Sequence, residues 1–330
     1  MRYLGIDTSS CATSAAVYDS TSGSVLGSVK INLQIKDGDL GMQQNDAIFL
    51  HTQNVSELME QLTFQTDISQ FDAVGVSVRS SDENDSYMPA FLAGQAIASA
   101  IAAVMKVPVY EFSHQAGHIM SSLFGTNFYQ EIQKDFLAFH VSSGTTDALL
   151  CSLNAGSLTI TELGTSLDIH AGQVIDRVGR MIGLRFPSGE QMDELAEKSN
   201  TYDLANPVLK GCNCCLAGLE NQCKTIYRRT HDREYIARYC LNSIAAVILS
   251  MSRILKVKYL DLSDIVYAGG VMSSTVIRKF IMGSVNNARF TKPAWLSGDN
   301  AVGVSILAAR SHEMGQYNAQ EEVSVLKAAN

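Results

Sequence analysis

An internal repeat of a strand–turn–strand pattern constrains the fold of this chain more than any other feature of its sequence. Residues 8–17 read TSSCATSAAV and residues 141–150 read VSSGTTDALL. Hydroxyl and alanine positions recur at a constant spacing of 133 residues: Ser9 with Ser142, Ser10 with Ser143, Thr13 with Thr146, and Ala15 with Ala148. Chance similarity among common residues is the alternative. A duplicated lobe is favoured because the order of elements after each turn recurs as well.

The predicted elements around the two copies are those of two α/β lobes. In the first copy, apolar runs predict strands at 3–7, 15–18, 25–31, 73–78 and 107–112, and helices at 54–64 and 88–105. In the second copy, the predicted strands are 149–153, 158–163 and 265–268, and the predicted helices are 170–182, 274–282 and 300–310. We therefore predict an N-terminal lobe of residues 1–112 and a C-terminal lobe of residues 113–330. Residues 185–233 interrupt the second lobe as an insertion.

Composition narrows the class of protein. A chain of 330 residues with 46% hydrophobic and 18% charged residues is expected to be soluble and globular. No segment approaches the roughly 20 apolar residues that cross a bilayer, and the N-terminus has no signal-peptide core, so we expect a cytoplasmic protein. Seven cysteines in such a chain favour free thiols. The net charge of −8 argues against a nucleic-acid binder that acts without local basic patches or partner proteins.

Three turns predict a site for a phosphate-bearing ligand. Short hydroxyl side chains and backbone N–H groups between two strands form a concave surface of donors suited to phosphate oxygens. Thr8 and Ser9 begin such a turn in the first lobe, and Ser142, Ser143, Gly144, Thr145 and Thr146 form it in the second. The sequence AGGV at 268–271 precedes a predicted helix whose N-terminus would attract an anion. A Ser/Gly turn is most often only a turn, but three together predict a clamp for a polyphosphate or an acyl-adenylate.

A histidine pair predicts a metal site. His114 and His118 are four residues apart at the start of a predicted helix, so both imidazoles lie on one helix face and could bind one metal ion. A chance pair is the alternative in a chain with seven histidines. A zinc protease of the H-E-x-x-H type is disfavoured, because Gln115 cannot act as a general base. Asp299 is the best acidic partner by context, although it could simply cap the helix that follows it.

Two other clusters have a structural interpretation that we favour over a functional one. Cys212, Cys214, Cys215 and Cys223 lack the spacing of paired zinc ligands, so reduced structural cysteines are favoured over a metal centre. The basic residues from Lys224 to Arg233 are most often a solvated face. A surface that faces RNA is the less favoured interpretation.

Seven stretches of the chain, in order, resemble the TsaD family, the tRNA threonylcarbamoyladenosine transferases that are also classed with O-sialoglycoprotein endopeptidase-like proteins. The stretches are GIDTS at 5–9, HQAGHI at 114–119, VSSGTT at 141–146, LDIHAGQVIDR at 167–177, IGLRFPSG at 182–189, AGGV at 268–271 and DNA at 299–301. The resemblance implies a two-lobed, actin-like ATPase fold built from duplicated RNase H-like units.

The resemblance also implies the activity and the residues that carry it. It implies His114, His118 and Asp299 as ligands of one divalent metal ion, Fe²⁺ or Zn²⁺. It places an adenine nucleotide or acyl-adenylate near Ser142–Thr146, Asp176, Gly189 and Ser274, with Asp176 and Gly189 by the ribose or base. The implied reaction transfers a threonylcarbamoyl group from its adenylate to the adenosine next to the tRNA anticodon. TsaB-like and TsaE-like proteins are the implied partners, no membrane is implied, and no catalytic side chain is assigned.

The chain departs from the family pattern at several positions. The residues Ser10, Cys11 and Ala12 replace Cys-Asp-Glu, and an acidic segment at 79–86 replaces a glycine-rich loop. Thr145, Ser274 and Glu220 replace a histidine, an asparagine and a lysine. The chain is therefore similar to a divergent paralogue, and three functions stay open: the tRNA-modifying transferase, a carbamoyltransferase with another acceptor, or a non-catalytic paralogue that binds the true enzyme. For Asp176, an ion pair with Arg180 on the same helix face is the simple alternative to a ribose contact.

Overall fold

The structure, a computed structural model, describes residues 1–9, 11–33, 43–82, 88–130, 132, 135–154 and 157–315. Ser10 and residues 83–86 of the predicted acidic segment at 79–86 lie outside the described residues. The strands are β1 (Arg2–Thr8), β2 (Ala12–Asp19), β3 (Ser24–Asn32), β4 (Ala73–Arg79), β5 (Val109–Ser113), β6 (Phe136–Val141), β7 (Thr146–Asn154), β8 (Ser157–Gly164), β9 (Leu209–Lys210), β10 (Asn213–Cys214), β11 (Ile265–Ala268) and β12 (Ala288–Phe290). The α-helices are α1 (Gln44–Thr63), α2 (Phe91–Met105), α3 (His114–Phe124), α4 (Ala171–Met181), α5 (Gly189–Glu197), α6 (Ala217–Thr230), α7 (Arg233–Lys258), α8 (Thr275–Met282) and α9 (Asn300–Glu313).

The predicted duplication is confirmed by the topology of two five-stranded sheets. The first has the order β3-β2-β1-β4-β5 and the second has the equivalent order β8-β7-β6-β11-β12. In both, the first strand pairs antiparallel with the second and parallel with the strand that follows the crossover. Thr8 pairs with Thr13 in one sheet and Val141 with Thr146 in the other, so the register repeats with the spacing found in the sequence.

The chain divides into two compact units whose boundary differs from the predicted one at 112/113. Among the described residues, the first unit comprises Met1–Ser121, Leu153–Thr159 and the chain from Asp299 to Gly315, and the second comprises Ser122–Ser152 and Ile160–Gly298. The histidines of α3 and the whole of α9 therefore belong to the first unit. The reason is packing: α9 lies so close to β1 that a Cβ atom on Gly5 would collide with the Ala301 carbonyl oxygen. Sequence position alone gave no sign of this return.

The first sheet buries both faces, and this sets the direction of its polar residues. On one face Leu4 and Ile6 of β1 pack in a core with Leu58 of α1 and Ala98 of α2. Because side chains alternate along a strand, Asp7 points to the opposite face, where α9 lies. A buried carboxylate at the end of β1 is thus brought beside the start of α9.

The second unit is organised around α7. Its residues from Ile236 to Leu255 are largely buried, and they form the centre of a core with the second sheet and with α4, α5 and α6. By length and composition α7 could cross a membrane, which the sequence analysis had not noticed, but 72% of its most apolar window is buried inside the protein. This is the pattern of a core helix. The predicted insertion at 185–233 contains α5, the β9–β10 hairpin and α6.

Candidate metal and nucleotide sites

The predicted histidine pair is assembled in the first unit. His114 is the first residue of α3, directly after β5, and His118 lies one turn further on. Their Nε2 atoms are 3.1 Å apart and their rings meet edge to face. With metal–nitrogen bonds of about 2.1 Å, two donors at that distance would subtend roughly 95° at a shared metal ion. His118 is buried and His114 is 20% exposed, so the pair has an opening to solvent.

Asp7 fixes the proton of His114, a role that the sequence analysis missed. Its Oδ1 atom lies 2.8 Å from His114 Nδ1. The Asn300 side-chain amide donates to Asp7 Oδ1 at 2.6 Å and to Ser77 Oγ at 3.1 Å, which uses its hydrogens and leaves the Nδ1 hydrogen of His114 for the carboxylate. With Nδ1 protonated, Nε2 of His114 carries the lone pair that a metal ion needs. The only sequence signal for Asp7 was an acid at the end of an apolar strand.

Asp7 is held as an anion although it is almost fully buried. Burial alone would raise the pKa of its carboxyl group. Interaction with His114 and hydrogen bonds from His114, Ser77 and Asn300 outweigh that effect and lower the pKa below its ordinary value. A buried carboxylate with this set of donors is suited to orient an imidazole ligand.

Asp299 is not assembled with the two histidines, so the predicted set of three ligands is only partly formed. Its side chain caps α9 by accepting from the Val302 N–H, and its Oδ2 atom accepts from the Ser28 hydroxyl. Burial raises the pKa of Asp299, against the hydrogen bonds of Ser28 and Val302 and the charge of Lys30. Within the described residues, no group of three His, Cys, Asp or Glu side chains is arranged to hold a metal ion. A carboxylate buried at a helix start must find donors, and here it finds them in β3 and α9.

The residues present nevertheless fit a divalent metal ion in donor chemistry. Two imidazole nitrogens converge, and a second-sphere carboxylate orients one of them. Asp299 is adjacent in sequence to Asn300, whose amide lies 2.9 Å from His114 Nδ1. The short distance between Asn300 and His114 depends on a close crossing of α3 and α9, where a Cβ atom on Gly303 would overlap the Gly117 carbonyl oxygen.

The predicted phosphate contact of Thr8 is contradicted by its position. Thr8 is fully buried, and its hydroxyl donates to the Ala90 carbonyl at 3.0 Å and accepts from the Gly94 N–H at 3.1 Å. The hydroxyl is therefore used to hold the start of α2 rather than presented to a ligand. Ser9 stays partly exposed, and its Oγ atom accepts from the Cys11 N–H at 3.4 Å.

A buried histidine that the sequence analysis passed over supports the same turn. His51 of α1 is fully buried, with its Nδ1 atom 2.9 Å from the Thr13 hydroxyl oxygen. Asn54 donates to the same hydroxyl oxygen at 3.2 Å, so Thr13 connects α1 to the turn through two side chains. Burial lowers the pKa of His51, against the charge of Asp7 and a backbone contact with Ser9.

The predicted turn in the second unit forms a compact loop with an exposed tip. The Ser142 hydroxyl oxygen accepts from the N–H groups of Gly144 and Thr145 at 3.1 and 3.2 Å. The Thr146 hydroxyl accepts from the first N–H of α4 at 2.9 Å, so the loop also caps that helix. Ser143 and Gly144 are exposed and remain open to a ligand.

Asp176 and Gly189 are brought to the same place as this loop. Asp176 of α4 accepts from the Ser188 N–H at 2.8 Å and from the Ser143 hydroxyl at 3.3 Å. These partners differ from the simple alternative of an Arg180 pair, because the carboxylate faces the loop and the start of α5. Burial raises the pKa of Asp176, and its two hydrogen bonds only partly offset the effect. Gly189 begins α5 and is exposed, with open space where a Cβ would be.

The predicted anion site at the start of α8 is filled by the protein itself. The carboxylate of Asp193, from α5, accepts from the Ser274 hydroxyl and from the N–H groups of Thr275 and Val276, the last two at 2.8 and 3.3 Å. The Thr275 hydroxyl also donates to it at 2.6 Å. Ser274 therefore acts as a capping residue of α8, and its predicted contact with substrate is not available while Asp193 occupies the helix end.

The cysteines of the predicted cluster are thiols with differing burial. All seven cysteines are free thiols, and Cys214 and Cys223 are buried. Burial raises the pKa of Cys214 to about 11, so its thiol stays protonated. None of them belongs to a metal-binding group within the described ranges.

Comparisons with known proteins identify the family to which the sequence is similar. The family model described as TsaD, tRNA N6-adenosine threonylcarbamoyltransferase, matches residues 47–305. The curated enzyme of that name from Persephonella marina is 26% identical over 315 residues, covering 92% of this chain and 88% of that protein. The one from Nanoarchaeum equitans is 26% identical over 320 residues and covers 96% of both.

Solved structures show the fold. The activator of 2-hydroxyisocaproyl-CoA dehydratase from Clostridium difficile, with bound ADPNP, has a TM-score of 0.53 at 13% identity, covering 96% of this chain and 98% of that one. Full-length HypF in its phosphate- and nucleotide-bound form has a TM-score of 0.58 at 12% identity, covering 96% of this chain and 56% of that one. At these identities the likeness concerns architecture alone, and it confirms the predicted actin-like ATPase class of fold.

Proposed function

Because the chain belongs to the TsaD family of tRNA N6-adenosine threonylcarbamoyltransferases, we propose that it transfers a threonylcarbamoyl group from its adenylate to a tRNA adenosine next to the anticodon. In this reaction the N6 amine of the adenosine forms a bond to the carbamoyl carbon. The bond from that carbon to the AMP phosphate oxygen breaks, AMP leaves, and the amine releases a proton.

The histidine pair backed by Asp7 is the observation that carries the proposal. Asp7 keeps the proton of His114 on Nδ1, so that His114 Nε2 is directed, with a free lone pair, toward His118 Nε2. Asp299 is the third proposed ligand, and it would give up its hydrogen bond from Ser28 to serve. A bound Fe²⁺ or Zn²⁺ ion would supply a Lewis acid for the carbamoyl carbonyl.

The adenylate is proposed to bind in the second unit at the loop of Ser142–Thr146. Ser143 and Gly144 offer an exposed hydroxyl and backbone there, and Gly189 leaves room for close approach of a ring. Asp176 could accept from ribose hydroxyls, since its present partners are one weak hydroxyl contact and one backbone N–H. Support for a ligand contact is thus stronger for this loop than for Thr8 or Ser274, because the hydroxyls of Thr8 and Ser274 are already hydrogen-bonded to other groups of the protein.

A second candidate, a non-catalytic paralogue, is favoured by specific departures. Asp299 is hydrogen-bonded to Ser28 rather than grouped with the histidines, and Asp193 fills the helix end where a phosphate was predicted.

The third candidate, a carbamoyltransferase with another acceptor, rests on the replacement of the family lysine by Glu220, which makes ion pairs with Lys224 and Arg177. That exchange removes a cation that anionic RNA would favour.

Protein partners are proposed on the surface of α2. No charged residue occurs between Phe91 and Met105, and Leu92 and Val104 are 44% and 83% exposed. Such a face is suited to a helix of another protein, and the resemblance suggests a TsaB-like partner, with a TsaE-like protein in the same assembly.

The test compares metal content and transfer activity in matched variants. The purified chain, with the partner proteins, is given the threonylcarbamoyl adenylate and an unmodified tRNA transcript. We expect one metal ion per chain and N6 modification of the tRNA, with both lost in His118→Ala and retained in His312→Gln, a change of a partly exposed histidine at the far end of α9.

The candidates separate by outcome. Modified tRNA supports the transferase. Metal and adenylate turnover without modified tRNA points to another acceptor. Stoichiometric metal that survives replacement of both His114 and His118 would refute the site.

A further inference from the structure

The turn between α6 and α7 concentrates positive charge in an acidic protein. Four of the 25 basic residues of the chain lie within positions 224–233, against the single acid Asp232. Arg228 and Arg229 occupy the last turn of α6, and Arg233 is the first residue of α7. We call Arg228, Arg229 and Arg233 the arginine tip.

The three arginines of the tip are available for an external anion. All three are exposed, and no ion pair holds any of them within the described part of the chain. Lys224 is different, because it pairs with Glu220 at 2.7 Å, and Glu220 also pairs with Arg177 at 3.1 Å. The family lysine replaced by Glu220 is thus not restored by Lys224, and the free cations lie further along α6.

The nearby acids are mostly engaged in the protein. Asp232 caps α7 by accepting from the Tyr235 N–H at 2.9 Å. Asp203 accepts from the Tyr235 hydroxyl at 2.7 Å. Glu234 is exposed in the first turn of α7. The tip is therefore not a uniform positive field, and its ligand must be recognised by individual arginine forks, which suit phosphate oxygens.

An exposed aromatic ring is connected to the start of α7, where the tip lies, by one hydrogen bond of its neighbour in the chain. Tyr202 is 83% exposed, and its neighbour Asp203 is tied to Tyr235, two residues after Arg233. A ring of this size that is left in solvent has no role in the core. Aromatic rings beside cations are the combination that binds unpaired bases and their backbone.

We propose that the arginine tip and Tyr202 form an RNA-binding surface, in which the arginines contact backbone phosphates and Tyr202 stacks on an unpaired base. The proposal rests on the proposed function, because it assigns the surface to the tRNA acceptor. An acidic protein segment is the competing ligand, but it would use the arginines without any need for the exposed ring.

Binding of an unmodified tRNA transcript as a function of salt tests the surface. The double variant Arg228→Glu, Arg229→Glu is compared with Arg253→Glu, Lys258→Glu, which makes the same charge change near the other end of α7, about 30 Å from Arg233. At about 100 mM salt we expect the tip variant to bind at least ~10-fold more weakly and its salt slope to fall by about two. The control pair should change neither. Tyr202→Ala should weaken binding about tenfold, and Tyr202→Phe should restore it.

Each other outcome overturns the proposal in a distinguishable way. Equal loss in both charge variants would show a general charge effect. Unchanged RNA binding with weakened binding of a partner protein would assign the tip to an acidic protein. If the wild-type protein and its partners modify tRNA, and the tip variants bind and modify tRNA equally well, the assignment of the RNA-binding surface is refuted while the proposed function stands. If the wild type neither binds nor modifies tRNA, both fail.

Discussion

Replacing Asp7 by asparagine tests whether the buried carboxylate orients the metal-binding face of His114. Asn is nearly the same size, so packing around the end of β1 is kept. The change removes the negative acceptor 2.8 Å from His114 Nδ1. An amide can accept one hydrogen bond there, but it no longer stabilises the ring as a carboxylate does. It also no longer favours the tautomer with its lone pair on Nε2.

The expected effect is a loss of metal affinity larger than the loss of stability. Partners of this kind change metal affinity by about 10- to 100-fold, which corresponds to roughly 1.4–2.8 kcal/mol. Ser77→Ala is the matched control, because it removes a neutral hydroxyl that is hydrogen-bonded to Asn300 and Asp7 in the same buried cluster, while it keeps the carboxylate opposite His114. We expect that variant to lose about 1 kcal/mol of unfolding free energy and to keep its metal affinity within about twofold.

Metal competition against a chromophoric chelator measures the affinities, and urea denaturation without metal measures stability. Asp7→Asn should differ from Ser77→Ala in the first assay far more than in the second. Equal metal affinities for the wild type and Asp7→Asn would refute the orienting role. Equal losses in the two variants would mean that the cluster matters only for folding.

Three further predictions concern the rest of the fold. Asp193→Ala should lower the unfolding free energy by about 2 kcal/mol in urea denaturation, since α8 keeps Ser274 but loses the carboxylate that accepts from the Thr275 and Val276 N–H groups; an unchanged midpoint would contradict this. Gly303→Ala should cost about 3 kcal/mol because its methyl group meets the Gly117 carbonyl, whereas Gly218→Ala, with open space around it, should stabilise α6 by roughly 0.5–1 kcal/mol. His51 is neutral and buried, and below about pH 6.5 the unfolded chain takes up a proton there that the folded protein refuses. Stability should therefore fall as the pH drops from 6.5 toward the lowered pKa, and His51→Gln should show a shallower fall; identical slopes would exclude His51 as a source.

The elements of the fold were largely predictable from local pattern. Apolar runs predicted the five strands of the first sheet and β7, β8 and β11 of the second, but not β12, and the spacing of the repeat indicated which turns correspond. Helix limits were less accurate: α1 begins at Gln44, ten positions before the predicted start at 54. Its first turn is polar and the next residues, 47–50, form a continuous apolar run, so apolar periodicity is visible only further along the helix.

The candidate site was predictable where it depends on neighbours in sequence and not where it depends on tertiary contacts. His114 and His118 could be paired because one helical turn brings residues four apart onto one face. Asp7 could not be added to them, since its contact spans 107 positions and requires α3 to be packed against the end of β1. The use of the Thr8 hydroxyl by α2 and of Ser274 by Asp193 was hidden for the same reason.

By itself the sequence determined the duplicated strand order, the helix that presents two imidazoles together, and a family pattern that runs through most of the chain. These are properties of spacing, and spacing is set by the chain. Only the tertiary structure decided that α9 returns to the first sheet, that Asp7 holds His114, and that Asp299 bonds to Ser28. Each of these depends on how buried polar groups find partners among distant residues, because a carboxylate removed from water must be satisfied by whatever donors the packing brings within reach.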